Sequence, residues 1–200
     1  ICRMKKVVSF LLIFVLFISL VPATLAASSK DVPSSYRFYQ EINYLIERGI
    51  ISGFPDHTFR PETSVTRAQA AIMIGRALEF DGTQQNTKFP DVGKDSVASG
   101  YIQAAVSEGI IQGFPDGTFR PNETIKRGEF IKMLISLATN RTFDFASVES
   151  EYSQWYGPYV TIAEMQGVIA KNEFTEQELE NPITRIEMIL MLARTQIKMK

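Results

Sequence analysis

Three arginines hold equivalent positions along the chain and are the side chains best placed to bind an anion. They are Arg67, Arg127 and Arg185, and each follows a glycine by eighteen residues. Each also lies in the first turn of a predicted helix, where the helix dipole disfavours a cation by about 0.3 to 1 kcal/mol. One interpretation is an ordinary salt bridge to one of the 22 acidic residues. The other is that the arginine and the free N–H groups of the same helix start together bind an anion, such as a ligand carboxylate.

Glycines and aromatic rings near these arginines fit a carbohydrate ligand. Gly53 and Gly113 let the backbone approach a ligand, although a turn requirement explains them equally well. Trp155 offers a flat ring that can stack on a sugar, with a buried core aromatic as the alternative, and Phe38 lies near the corresponding place in the first repeat. The candidate ligand-binding residues are therefore Arg67, Arg127, Arg185, Gly53, Gly113, Trp155 and Phe38.

Signals for catalysis or metal binding are weak. The sequence contains no nucleophile elbow, phosphate loop or zinc pattern, and its single histidine cannot form a metal cluster. Glu176 and Glu178 resemble the carboxylate pair of a glycoside hydrolase, but they lie in a charge-rich loop that favours a solvated surface. We therefore expect no catalytic residues, no metal site and no cofactor.

The candidate residues belong to a repeated segment. Residues 49–61 read GIISGFPDHTFRP and residues 109–121 read GIIQGFPDGTFRP, so eleven of thirteen positions are identical. The order of glycine, proline and aspartate predicts a tight turn. His57 replaces the turn glycine Gly117 and tolerates the left-handed conformation better than most residues, so we expect a structural role for it. The third repeat keeps the spacing but has lost this turn sequence.

The sequence of each repeat predicts one amphipathic helix before the turn and one after it. In the first repeat the apolar stripe of the first helix ends at Gly49, and a capping box at Thr66 and Gln69 starts the second helix at Arg67, which runs to about Phe80. In the third repeat the helices are predicted over about 155–166 and 185–195. A helix pair cannot bury its apolar faces alone, so we expect a mainly α bundle closed around a pseudo-threefold axis, with a linear solenoid as the alternative.

The N-terminal 26 residues have the pattern of a secretory signal peptide, with Lys5 and Lys6 before an apolar run and small residues up to Ala26. Its removal leaves 18 basic and 22 acidic residues, a formal charge of -4, which argues against a nucleic-acid or anionic-membrane binder. It also removes the only cysteine, Cys2, and with it any disulfide or thiol nucleophile in the secreted form.

The two turn segments, together with Thr-Arg-Ala-Gln, Lys-Arg-Gly-Glu and Thr-Arg-Ile-Glu at the three helix starts, resemble S-layer homology (SLH) domains. The resemblance covers about residues 31–195 and divides the chain into a signal peptide at 1–26 and modules at 31–82, 89–140 and 144–197. It implies a pseudo-threefold helical bundle with protruding prongs and short turn-region strands. It also implies non-covalent binding of pyruvylated secondary cell-wall polysaccharide in grooves between modules.

The resemblance further implies how the protein works. The motif arginine maps onto Arg67, Arg127 and Arg185, the tryptophan onto Trp155, and the turn glycine onto Gly53 and Gly113. A pyruvate ketal carries a carboxylate, which suits the anion site. The expected protein is a monomer, secreted and attached to a Gram-positive wall or S-layer, and is not an enzyme. The alternative is the anchor portion of a larger surface enzyme, such as a wall-glycan hydrolase.

Departures from the motif rank the three sites. Lys126 stands where a threonine cap is usual, which removes a cap worth about 1 kcal/mol but adds a cation. The third repeat has Lys171 in place of the second glycine and Glu178 in place of the turn arginine. From the sequence, the Arg67 and Arg127 sites keep their turn chemistry, whereas the Arg185 site has lost the turn and gained a carboxylate. Arg67→Ala and Arg127→Ala are therefore predicted to weaken binding more than Arg185→Ala.

The signal pattern predicts export with cleavage after Ala26. N-terminal sequencing of secreted material is expected to begin at Ala27. A mature protein that still begins at Met4 would contradict the prediction.

Overall fold

The structure, a computed structural model, describes residues 29–139 and 144–198; the predicted signal peptide lies outside these residues. The described residues form seven α-helices, which confirms the mainly α class. The helices are α1 (Tyr39–Glu47), α2 (Arg67–Ala77), α3 (Ser99–Ser107), α4 (Arg127–Ala138), α5 (Gly157–Met165), α6 (Glu176–Leu179) and α7 (Arg185–Lys198), with a short 3-10 helix at Phe145–Ser147. None of these helices has the length and apolar content needed to cross a membrane.

The helix bounds differ from the predicted ones at two places. α2 starts at Arg67 as predicted but stops at Ala77, because the chain then turns through Glu79 in the left-handed conformation, at φ 57°. The segment interpreted as a charge-rich loop in the third repeat contains the one-turn helix α6. Its start is a capping box, in which the Glu178 N–H donates to Thr175 Oγ1 and the Thr175 N–H donates to Glu178 Oε2.

The three repeats meet in a ring of backbone hydrogen bonds just before their second helices. The Val65 N–H donates to the Ile183 carbonyl at 3.1 Å, the Ile183 N–H to the Ile125 carbonyl at 3.0 Å, and the Ile125 N–H to the Val65 carbonyl at 3.0 Å. All three side chains are buried. Each repeat thus donates to one neighbour and accepts from the other, so the ring has no free end.

The family resemblance implies short strands in the turn region, but the structure has isolated β-bridges around this ring instead. Across the described residues the β-pairing consists of three isolated antiparallel bridges, at Ser64 with Thr184, Thr66 with Thr124, and Lys126 with Pro182. The expectation of strands in the turn is therefore wrong. The pairing lies at the helix caps because the three repeats converge there.

Helix packing follows the same cyclic order. α2 packs on α3, α4 packs on α5, and α7 packs on α1. The contacts are close: a Cβ on Gly75 would lie 2.4 Å from the Tyr101 ring, and one on Gly128 would lie 2.8 Å from the Tyr156 ring. A linear solenoid would keep the last helix away from the first, so the α7–α1 contact supports the predicted closure. Threefold symmetry of the whole bundle stays a prediction.

An aspartate from the start of the repeat holds each intact turn. Asp91 accepts hydrogen bonds from the N–H groups of Phe119, at 2.9 Å, and Arg120, at 2.6 Å. Arg120 has a φ of 57°, a conformation that costs energy in a residue with a side chain. Asp31 makes the equivalent bonds to Phe59 and Arg60. His57, at φ 63°, takes the left-handed position that Gly117 fills in the second repeat, as predicted.

Asp91→Ala is expected to destabilise the protein by about 1 to 3 kcal/mol, because the buried Phe119 N–H loses its carboxylate acceptor. Urea unfolding followed by circular dichroism measures this change. The exposed Asp95→Ala is the matched control. Equal unfolding midpoints for the two variants would show that Asp91 does not hold the turn.

Candidate ligand-binding grooves

Each motif arginine reaches out of its own repeat and into the next. Arg67, at the start of α2, donates from Nε to the Phe119 carbonyl at 2.8 Å and from Nη2 to the Gln112 carbonyl at 3.0 Å. Both acceptors belong to the second repeat. A groove is therefore built from the arginine of one repeat and the turn of the following one.

The other two arginines follow the same rule, and this corrects the pairing of arginines with turns on which the ranking from the sequence rests. Arg127 donates from Nη1 to the carbonyl of Glu178, in the degenerate turn of the third repeat, at 2.9 Å. Arg185 donates from Nη2 to the carbonyl of Ser52, beside the intact turn of the first repeat, at 2.6 Å. The assignment of the Glu178 turn to Arg185 is thus wrong. The degenerate turn lies against Arg127, and Arg185 faces a complete one.

The first N–H groups of these helices are not free. The Arg67 N–H donates to the Glu123 carbonyl at 2.8 Å and the Arg185 N–H to the Thr63 carbonyl at 2.8 Å, and the Arg127 N–H bonds Asn181 in the same way. The expectation that free helix-start N–H groups join the arginine in an anion site is therefore wrong at these positions. Ring closure brings a neighbouring carbonyl onto each of them.

The Arg67 groove gathers three of the residues predicted from the sequence. Its cavity of about 420 Å³ is lined by Arg67, Gly113 and Trp155, together with Glu129, Lys132 and Tyr159. Trp155 is 60 % exposed, so the alternative of a core aromatic is wrong. Sequence reasoning missed Lys132, although it interrupts the apolar face of α4 where the first repeat has Ile72. Burial lowers the pKa of Lys132.

The Arg185 groove contains a desolvated cation with an unused donor. Its cavity of about 230 Å³ is lined by Arg185 and Gly53, with Phe54, Gln69, Met73 and Arg76. Arg185 is only 6 % exposed, and its Nε has no hydrogen-bond partner within the described part of the chain. Desolvation lowers the pKa of Arg185 to about 10, so the group stays cationic at neutral pH. A buried donor without an acceptor is costly, so this arginine is less well compensated than Arg127.

The Arg127 groove is occupied by the protein itself. Nε and Nη2 of Arg127 donate to the two carboxylate oxygens of Glu187 at 3.0 and 2.9 Å, and Nη1 bonds the Glu178 carbonyl, so all three nitrogens have acceptors. The neighbouring Lys126, expected to be an additional cation for a ligand, forms an ion pair with Glu180 at 2.6 Å. Neither cation is available without breaking an internal pair.

Phe38 does not join these residues. It packs partly against the core at the start of α1, and the lining of neither groove includes it. Counting back from the glycine of each repeat, its counterpart is the buried Tyr156, whereas the counterpart of Trp155 is Arg37. Phe38 is therefore one residue after the counterpart of Trp155. At a helix start, a shift of one residue changes the direction of a side chain.

Gly113 lines the Arg67 groove but is required by packing. A Cβ there would lie 2.2 Å from the Phe89 ring and 2.7 Å from the Thr118 carbonyl. Close packing thus explains the glycine without a ligand. Gly53 lies at the equivalent position of the Arg185 groove.

The possible hydrolase pair is used structurally. Glu176 accepts hydrogen bonds from Ser153 and the Gln154 N–H, and Glu178 caps α6. Hydrogen bonds from the Ser153 side chain lower the pKa of Glu176, and the Thr175 N–H lowers that of Glu178. A general acid needs a raised pKa, so neither carboxyl fits that role. Within the described ranges, no cluster of three or more histidine, cysteine or acidic side chains could hold a metal ion.

Comparison with known proteins identifies a domain family in this chain. The family model of the S-layer homology domain matches residues 30–71 and 88–131, which contain the two intact turn-and-arginine units up to α4. The cellulosome-anchoring protein of Acetivibrio thermocellus is 36% identical over 110 residues, 52% of this chain and 24% of that protein. The surface-layer 125 kDa protein of Lysinibacillus sphaericus is 29% identical over 185 residues, 88% of this chain and 16% of that protein.

An endoglucanase of a Bacillus species is 33% identical over 143 residues, 66% of this chain and 15% of that enzyme. The chain therefore spans at most about a quarter of the length of these three relatives. The family match shows that residues 30–71 and 88–131 of this chain are S-layer homology domain segments.

Proposed function

We propose that the protein attaches non-covalently to the bacterial cell wall by binding an anionic, pyruvylated secondary polysaccharide in the Arg67 and Arg185 grooves. The observation that carries this proposal is Arg185, a desolvated cation that has no carboxylate partner among the described residues and that lines an open cavity. The protein is localised at the cell surface, as the surface-layer relative indicates.

The chemistry of the two grooves suits one kind of ligand. A pyruvate ketal presents a single carboxylate on a sugar ring. The carboxylate would accept hydrogen bonds from a guanidinium that the fold has already desolvated, where such bonds are stronger than in water. In the Arg67 groove, the exposed ring of Trp155 offers a flat face to a neighbouring sugar.

A second candidate is the anchor portion of a larger surface enzyme. It is favoured by the relative named endoglucanase, of which the matched segment is 15%. On this proposal the three repeats hold a catalytic domain at the wall, and the same grooves bind the wall polysaccharide.

Wall binding without hydrolysis is the direct test of the binding role. We expect the protein to co-sediment with Gram-positive wall sacculi and to release no reducing sugar, because Glu176 and Glu178 are engaged in backbone contacts. Sacculi treated with dilute acid to remove the ketals are the control and should lose most of the bound protein. Sugar release by a clean preparation, or equal binding to treated sacculi, would contradict the proposal.

The corrected pairing of arginines and turns makes a ranked prediction. Arg185→Met should weaken sacculus binding strongly, because linked sites raise avidity and loss of one site costs more than its share. Its stability should be unchanged or higher, since a desolvated cation is replaced by an apolar side chain of similar length. Arg127→Met should instead lower stability by about 1 to 2 kcal/mol, because it leaves the Glu187 carboxylate unpaired, with a smaller effect on binding.

Titration calorimetry against solubilised polymer and thermal unfolding measure the two effects separately. Stronger loss of binding in Arg127→Met than in Arg185→Met would restore the ranking made from the sequence.

A further inference from the structure

We propose that the third residue of each second helix sets the charge of the groove that it faces, and so decides whether an anionic ligand can enter. These residues are Gln69, Glu129 and Glu187, at equivalent positions two residues after the motif arginine. Resting on the proposed function, the inference makes the Arg185 groove the principal anion site, the Arg67 groove a weaker one, and the Arg127 groove closed.

The contacts of the three residues form a graded series. Glu187 makes two hydrogen bonds of 2.9 and 3.0 Å to Arg127. Glu129 stands 4.0 Å from Arg67 Nη1, at the limit of an ion pair, and both side chains line the same cavity. Gln69 is neutral and lines the cavity that contains Arg185. The positive charge left for a ligand therefore rises from Arg127 to Arg67 to Arg185, and the further cations Lys132 in the Arg67 groove and Arg76 in the Arg185 groove leave this order unchanged.

The hydrogen-bonding capacity that each arginine leaves unused rises in the same order, from Arg127 to Arg67 to Arg185. Arg127 has an acceptor on every nitrogen. Arg67 hydrogen-bonds two carbonyls through Nε and Nη2, and its Nη1 has only the long contact with Glu129. Arg185 bonds one carbonyl through Nη2, while Nε is buried without a partner in the described residues. The groove with the neutral residue is thus also the groove with the unsatisfied donor.

Helix capping does not explain the difference between glutamine and glutamate. Gln69 Oε1 accepts a hydrogen bond from the Thr66 N–H at 3.0 Å. Glu129 and Glu187 accept the equivalent bonds from Lys126, at 3.2 Å, and from Thr184, at 2.8 Å. Since both residue types cap the helix, an exchange between them changes the charge of the groove and leaves the cap in place.

A carboxylate in this position acts on the ligand in two ways. It repels a second carboxylate approaching the same arginine, and when it is hydrogen-bonded to the arginine it occupies the place that the ligand would take. In the Arg127 groove both apply, because Glu187 already provides the bidentate contact that a ketal carboxylate would make.

Gln69→Glu and Glu187→Gln test the inference as a reciprocal pair. The probe is a methyl hexoside carrying a pyruvate ketal, titrated while the Nε–H resonances of the arginines are followed by NMR. We expect Gln69→Glu to weaken binding at Arg185 by about tenfold, because like charges are brought together. Glu187→Gln should give a new saturable response at Arg127. Gln69→Glu should unfold at the wild-type temperature within a few degrees, because its cap remains, whereas Glu187→Gln should lose stability as Arg127→Met does, because it also breaks the Arg127–Glu187 ion pair.

Two results would overturn the inference: unchanged affinity at Arg185 in Gln69→Glu, or a wild-type Arg127 that responds to the probe as strongly as Arg185. Titration with acetate, which has a carboxylate but no sugar, separates this inference from the proposed function. If sacculi and the ketal do not bind but acetate still shifts Arg185 more than Arg127, the proposed ligand is wrong and the charge series stands. Equal acetate responses at all three arginines would contradict the series even if sacculi bind.

Discussion

The ring of hydrogen bonds among Val65, Ile125 and Ile183 is the constraint on which the rest of the structure depends. Backbone groups buried at the centre of a bundle must be paired, and here each is paired with the next repeat and not with its own. This joins the three second helices at their starts and brings α7 back to α1. It also places every motif arginine beside the turn of the following repeat.

That placement explains why buried cations occur at helix starts. Arg67 and Arg185 lie over the rings of Phe119 and Phe59, at 4.8 and 4.6 Å, and bond carbonyls of the neighbouring repeat. These contacts offset only part of the cost of desolvating a guanidinium. At Arg127 the carboxylate of Glu187 offsets the rest of the desolvation cost, so we assign this arginine a structural role. Arg185 has no such partner among the described residues, and we propose that a ligand carboxylate supplies the missing compensation.

Local features could be predicted from the sequence because their causes are local. The capping box fixes the start of α2 at Arg67, and the left-handed position of the turn was identified from the exchange of His57 for Gly117. The capping box at Thr175 and Glu178 was also present in the sequence and was overlooked. The partner of each arginine could not be predicted, since spacing within a repeat does not say which neighbour lies across a groove. The wrong pairing of Arg185 with the Glu178 turn has this cause, whereas the misplacement of Phe38 is an error of one residue in aligning the repeats.

On the proposed function, a binding site combines the arginine of one repeat with the turn of the next. A crystal structure of the protein with a pyruvylated wall disaccharide is the decisive test. We expect the ligand carboxylate within hydrogen-bonding distance of Arg185, against the turn that begins at Ser52, with Arg127 still bonded to Glu187. A carboxylate bound to Arg127 with Glu187 displaced, or a ligand contacting residues of a single repeat only, would contradict it.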